Sequence, residues 1–131
     1  MSLDRLRAPR ILLAEDDPDM RALLASSLRR RGYEVCEADS GGTLLARLFA
    51  DHAAGADLPD LVVSDVRMPG GGGLSALRSI RDRAWATPMV LITAFGDREL
   101  HREALDLGAR VLDKPFDLGD LHRLVASALS P

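Results

Sequence analysis

Five polar side chains in this sequence are of the right type and spacing to act at one point: Glu15, Asp16, Asp65, Thr93 and Lys114. Each stands at the end of a short apolar run: 11–14 before the two acids, 61–63 before Ser64 and Asp65, 89–92 before Thr93, and 111–112 before Asp113, Lys114 and Pro115. Three carboxylates in one pocket repel each other and raise at least one pKa unless a cation joins them. Carboxylates, a backbone carbonyl and water are the oxygen donors that Mg2+ accepts in octahedral geometry. No His or Cys occupies these positions, which argues against zinc or iron; His52, His101 and His122 are expected in a loop or on helices away from this edge. A hydroxyl and an ammonium aimed at such a cluster suit a transferring phosphoryl group, whose charged oxygens need positioning and electrostatic stabilisation more than covalent help. Ala94 is small and leaves a path for an incoming donor. Of the seventeen cations only Lys114 is lysine. Two readings stay open: a codon bias toward Arg, or a position that needs a compact ammonium rather than a planar guanidinium.

These residues are useful only if the chain brings them together. Five apolar runs alternate with five helical patterns. The first strand covers 11–14 and stops at Glu15-Asp16-Asp17. Asp17 is a good N-cap and Pro18 suits the first helical position; Met20, Leu23, Leu24 and Leu28 recur at helical spacing, and Gly32 ends the helix. The pattern then predicts a strand over 33–38, a helix over 40–50 weakened by Gly41 and Gly42, and a polar loop over 51–59. A third strand over 61–63 ends at Ser64-Asp65, and glycines 70–73 form a flexible run before a helix over 74–83. Pro88 precedes a fourth strand over 89–93, Gly96-Asp97 opens a helix that ends at Gly108, and a short strand covers 110–112. Asp117 caps the last helix, with Asp120 at its third position and Phe116 packing on Leu121 as a staple. Strands alternating with helices imply an α/β fold, a parallel sheet covered on both faces. Right-handed crossovers leave few topologies, and a doubly wound sheet in order 2-1-3-4-5 is the leading choice. Ligand sites of such sheets gather at the carboxyl ends of the strands, where the five polar residues fall.

Composition bounds the rest. The 131 residues suit one domain, over 10–130, with 1–9 an extension or tag remnant and Met1-Ser2-Leu3 readable as vector sequence. A hydrophobic content of 47% excludes a disordered chain, and 4% aromatics leave little for stacking on bases or flavin rings. The formal charge of -3 argues against direct nucleic-acid binding. The single Cys36 forms no internal disulfide and is expected in a buried strand in a reducing cytoplasm. No apolar run reaches membrane-spanning length and no signal peptide opens the chain, so a cytoplasmic location is expected.

Four stretches now carry a resemblance: Ile11-Leu12-Leu13-Ala14-Glu15-Asp16-Asp17, Val62-Val63-Ser64-Asp65-Val66-Arg67-Met68-Pro69, Ile92-Thr93-Ala94 and Lys114-Pro115-Phe116. In this order the chain resembles the receiver domains of two-component response regulators, over about residues 10–129, and that likeness implies the flavodoxin-like doubly wound fold. It further implies that Glu15 and Asp16 bind Mg2+, Asp16 directly and Glu15 mainly through water. Asp65 would be the phosphoacceptor and a further metal ligand, Arg67 would lend its backbone carbonyl to the metal, and Thr93 and Lys114 would contact the phosphoryl group. The Lys114-Pro115 bond is expected to be cis. The implied partner is a sensor histidine kinase or phosphotransfer protein of a phosphorelay. The implied chemistry is self-phosphorylation and self-dephosphorylation only, with a switch in partner binding. The face of the fourth helix, fifth strand and fifth helix is a candidate homodimer surface.

Two features depart from the family pattern. Val111 occupies the position of an aromatic that swings inward on activation, and valine cannot swing; Phe95 is expected to pack. Glycines 70–73 replace a loop that usually carries larger residues, which predicts mobility without Mg2+. Three alternatives compete. A Mg2+-dependent aspartate-nucleophile phosphohydrolase would need a second acid soon after Asp65, where Val66 and Arg67 stand. A flavin module would need a phosphate-cradling first loop, which Glu15-Asp16-Asp17 would repel. A degenerate receiver would act only as a docking module.

Overall fold

The computed structural model describes residues 7–68, 71–94 and 98–130. The strands are β1 (Arg10–Ala14), β2 (Glu34–Ala38), β3 (Leu61–Asp65), β4 (Met89–Ala94) and β5 (Arg110–Lys114). The helices are α1 (Pro18–Arg30), α2 (Gly41–Ala53), α3 (Gly73–Asp82), α4 (Arg98–Asp106) and α5 (Leu118–Leu129). The strands form one parallel sheet in the order β2-β1-β3-β4-β5. The expected topology is therefore the observed one.

Alternation along the strands divides the core into two layers. Leu12, Ala14, Val62 and Leu91 pack with Leu44, Leu48, Leu77 and Ile80 of α2 and α3. Their neighbours Ile11, Leu13, Val63 and Ile92 pack with Leu24 and Leu28 of α1 and Leu121 and Val125 of α5. Each such buried Leu or Ile is worth about 1.5–3 kcal/mol relative to exposure, so strand register is strongly fixed.

The element boundaries follow local chemistry. Asp17 caps α1 by accepting from Asp19 N and Met20 N at 3.0 and 3.4 Å. Asp117 and Asp120 form a reciprocal capping box on α5, and Phe116 joins the same core layer as Leu121. Four expectations shift. The helix expected to stop at residue 50 runs to Ala53, because Arg47 pairs with Asp51 at 3.4 Å and holds that acid on the helix. Tyr33 belongs to the exit turn of α1, its amide donating to Leu28 O at 3.4 Å, so β2 starts at Glu34. Strand β5 extends to Lys114 because the ladder to β4 continues through Ala94. Leu23 is 51% exposed rather than core, while Met20, Leu24 and Leu28, spaced by four, face inward. Cys36 is half-buried on the edge strand, its Sγ 3.4 Å from the Arg47 guanidinium. The expected opening of the fourth helix at Gly96-Asp97, the packing of Phe95, and Pro69, Gly70 and Met1-Ser2-Leu3 lie outside the described residues.

Candidate acidic site at the carboxyl edge of the sheet

Asp65 is the last residue of β3, and its side chain is only 8% exposed. Both of its carboxylate oxygens have donors. Lys114 Nζ donates to Oδ2 at 2.7 Å, and the Arg67 amide donates to Oδ1 at 2.9 Å. The backbone around Asp65 fixes this posture. Val66 N donates to Ile92 O at 2.9 Å, so the chain stays on β4 past the strand end. Thr93 is buried one position beyond Ile92, the β4 partner of Asp65. The Lys114-Pro115 bond is cis, as the resemblance implied.

Glu15 is buried just past β1. Its amide donates to Ala38 O at 3.0 Å, and its carbonyl accepts from Arg21 Nη1 at 2.8 Å. Burial, then the charge of Asp65 and the hydrogen bond with the Asp16 side chain, push the Glu15 carboxyl up to about 7; the Asp17 amide and Lys114 oppose the shift. Burial works to lower the Lys114 pKa, but the hydrogen bond to Asp65 and the charges of Asp65, Glu15 and Asp16 outweigh it and raise the ammonium above its ordinary value. All three acids therefore act on Lys114, and with one ammonium among them the pocket remains anionic. Asp16 is exposed at its rim. Among the described residues, no three His, Cys, Asp or Glu side chains are gathered tightly enough to hold a metal ion as they stand. Lys114 holds one oxygen of Asp65 and Asp16 stands in solvent, so the acids are coupled electrostatically rather than drawn to one point.

The described glycines after β3 make room for close backbone approach. A Cβ at Gly72 would fall inside the van der Waals radius of the Val66 carbonyl oxygen. One at Gly41 would collide with the Gly71 carbonyl, and one at Gly73 would lie 2.9 Å from the Asp65 carbonyl and from Ser64 Oγ. Gly72 and Gly73 therefore let the chain fold back against the residues that carry Asp65, and Gly41 lets the Gly71 carbonyl approach the start of α2.

The histidines are placed less uniformly than the sequence suggested. His52 lies at the amino end of the sheet against Trp85, with ring centroids 4.7 Å apart. His122 joins α5 to α1 through Ser27 Oγ at 2.7 Å, and burial, with Arg31 nearby, lowers its pKa. His101 was expected away from the carboxyl edge but stands at it: its Nε2 meets Asp113 Oδ1 at 2.6 Å, one residue from Lys114. Asp113 pairs with Thr93 across the ladder. The half-buried Val111 joins the core layer of α2 and α3 and leaves the fold without the usual aromatic at that position. Sequence reasoning missed both Arg21 and the His101–Asp113 pair. Each joins residues on different elements, and no local spacing announces it.

A family model described as response regulator receiver domain matches residues 11–126. The regulatory protein AtoC of Escherichia coli is 39% identical over 121 residues, covering 92% of this chain and 25% of that protein. The transcriptional regulatory protein PdtaR of Mycobacterium tuberculosis is 38% identical over 122 residues, covering 92% of this chain and 57% of that one. The receiver domain of NtrX from Brucella abortus matches with a TM-score of 0.77 at 31% identity, over 91% of this chain and 97% of that one. The chemotaxis response regulator CheY4 of Vibrio cholerae matches with a TM-score of 0.79 at 28% identity, over 94% of this chain and all of that one. The chain thus spans about a quarter to just over half of the first two relatives. Receiver domains of this kind are Mg2+-dependent phosphoacceptor modules that work with histidine kinases, and no finding favours a phosphohydrolase or a module that only docks. With sequence, fold and match agreeing over nearly its whole length, this chain belongs to the receiver-domain family of two-component response regulators.

Proposed function

We propose that Asp65 is the phosphoacceptor of this receiver, served by Thr93 and Lys114, and that Glu15, Asp16, Asp65 and the Arg67 carbonyl hold Mg2+. The observation that carries this reading is the Asp65 carboxylate itself: buried at a strand end, with Lys114 Nζ at 2.7 Å and the Arg67 amide at 2.9 Å. The donor set fits the ion. All the proposed ligands are hard oxygens, and the carboxyl of Glu15 is pushed up to about 7 in a pocket whose negative charge one ammonium does not balance. When bound, Mg2+ supplies positive charge against the phosphoryl oxygens.

The chain's own residues account for the remainder of the reaction. A carboxylate oxygen of Asp65 attacks the phosphorus of a partner's phosphohistidine in line. The new O–P bond forms as the N–P bond breaks, and the imidazole leaves with the bonding pair. Lys114 then faces the phosphoryl oxygens that replace its bond to free carboxylate, and the Thr93 hydroxyl donates to another. Water later hydrolyses the aspartyl phosphate, so the protein's chemistry is its own phosphorylation and dephosphorylation. The partner is a histidine kinase or phosphotransfer protein in the cytoplasm. The face of α4, β5 and α5, where Leu105 is 61% exposed, is the responding and dimerising surface. The receiver domain is taken as residues 10–130, with 1–9 an extension.

Intact-mass measurement after incubation with a small phosphodonor and Mg2+ tests this reading. Wild type should gain one phosphoryl group and Asp65→Asn none. Equal gain by both proteins would overturn the assignment.

A further inference from the structure

We infer that Arg21 is a positioning residue that sets where Glu15 and Asp16 stand relative to Asp65; this rests on the reading of that pocket as the phosphoacceptor site. The ladders that fix β1 end at Ala14, paired with Ala38 on one side and Ser64 on the other. Beyond that point the backbone needs other anchors. The Glu15 amide finds one on β2, at Ala38 O, 3.0 Å away. The Glu15 carbonyl has left the ladder, and the guanidinium of Arg21 takes the place of a strand donor at 2.8 Å.

The guanidinium is itself held in place. It comes from the second turn of α1, its side chain is 21% exposed, and its Nε lies 3.5 Å from Glu37 Oε1 on β2. The other oxygen of Glu37 is taken by Arg29, which also donates to Val35 O at 2.8 Å. Arg21 is thus fixed between α1 and β2 before it reaches the loop, and little side-chain freedom remains to be lost on making the bond. The other side of the loop is tied by Asp17, whose amide donates to Glu15 Oε2 at 3.5 Å and whose carbonyl accepts from Arg21 N at 2.9 Å. Asp16 lies between these anchors with an exposed side chain. Its carboxylate is aimed by the backbone on either side and by its hydrogen bond with the Glu15 side chain, and Arg21 holds the backbone at Glu15. Arg21 touches neither Asp65 nor any reacting atom, so its effect is on geometry alone.

A purely structural role, stapling α1 to β2, would predict otherwise, and Glu37→Gln separates the two. That variant loses the ion pair at Nε but keeps the Arg21 bond to the Glu15 carbonyl. Mg2+ binding should be measured by calorimetric titration without phosphodonor, and amide exchange in metal-free protein. Arg21→Ala should weaken Mg2+ binding about tenfold, the lower end of what loss of a ligand-orienting partner causes. Its Glu15 and Asp17 amides should exchange faster while those of β3 keep wild-type protection. Arg21→Lys should recover part of the affinity through a single donor, and Glu37→Gln should bind Mg2+ close to wild type. The inference is overturned if Arg21→Ala binds Mg2+ like wild type, or if Glu37→Gln loses as much as Arg21→Ala. A wild-type protein that binds Mg2+ but takes no phosphoryl group would sink the proposed function and leave Arg21 judged by these binding and exchange results.

Discussion

Lys114 and Glu15 show how one pocket raises two pKa values, favouring the charged form of one group and the neutral form of the other. Each is partly or wholly removed from water, which disfavours its charge. Lys114 faces three acids that restore the charged form, and a compact ammonium reaches Asp65 Oδ2 end-on at 2.7 Å. That geometry favours the reading of the only lysine as a requirement of its site rather than an accident of composition. Glu15 has acids as neighbours, and the Asp17 amide and Lys114 offset them only in part, so burial and those acids push its carboxyl up to about 7. Two consequences follow with defined signs. A cation needs the ionised carboxylate, so Mg2+ binding should strengthen as pH rises through about 7 and should expel a proton. In metal-free protein the folded state holds an extra proton between the ordinary value of 4.5 and about 7, so this group's effect is to lower stability as pH rises through that window. Thermal melts of metal-free wild type and Glu15→Gln across the window check this. The wild type should lose stability relative to the variant as pH increases, and parallel curves would refute the assignment.

At the scale of elements, the glycines after β3 are read most differently in sequence and in structure. Counting four in a row suggests freedom; among the described ones, Gly72 and Gly73 stand in close approach to the backbone that carries Asp65. Gly72→Ala should therefore destabilise the protein by about 1–3 kcal/mol, the range for forcing a methyl into packed surroundings. The obstacle is the Val66 carbonyl, which cannot yield as a flexible side-chain end would. Denaturant unfolding measures this, and an unchanged midpoint would show that the close approach is dispensable. The rest of the fold was more legible. Buried parallel strands read as continuous apolar runs, and Asp17 and Asp117 announced their helices by capping. The ends of the apolar runs alone put Glu15, Asp65, Thr93 and Lys114 on one edge. Legibility failed where one residue depends on a distant one. Asp51 looked like a loop residue until Arg47 paired with it. His101 is expected away from the carboxyl edge, yet Asp113 of β5 meets it there. Leu23 shared the helical spacing of its neighbours but stands on the side away from the sheet.

The whole molecule keeps its chemistry at one end of the sheet and its only tryptophan at the other. Trp85 lies in the turn before β4, packed edge-on to Phe49 with centroids 5.9 Å apart, with the Arg83 guanidinium 4.0 Å above the Phe49 ring. Four residues of β4, Met89 to Ile92, lie between that turn and Thr93, at a rise of about 3.3 Å per residue. Mg2+ should therefore leave Trp85 emission essentially unchanged, and a large change on titration would mean that the ion reorganises the fold rather than the pocket. Among the described residues no helix is long and apolar enough to cross a membrane. The most direct test of the central claim is site-resolved mass spectrometry of protein trapped after exposure to a phosphodonor and Mg2+. The account predicts the phosphoryl group on Asp65 alone. Its appearance on Glu15, Asp16 or Asp113, or its persistence in Asp65→Asn, would contradict the account.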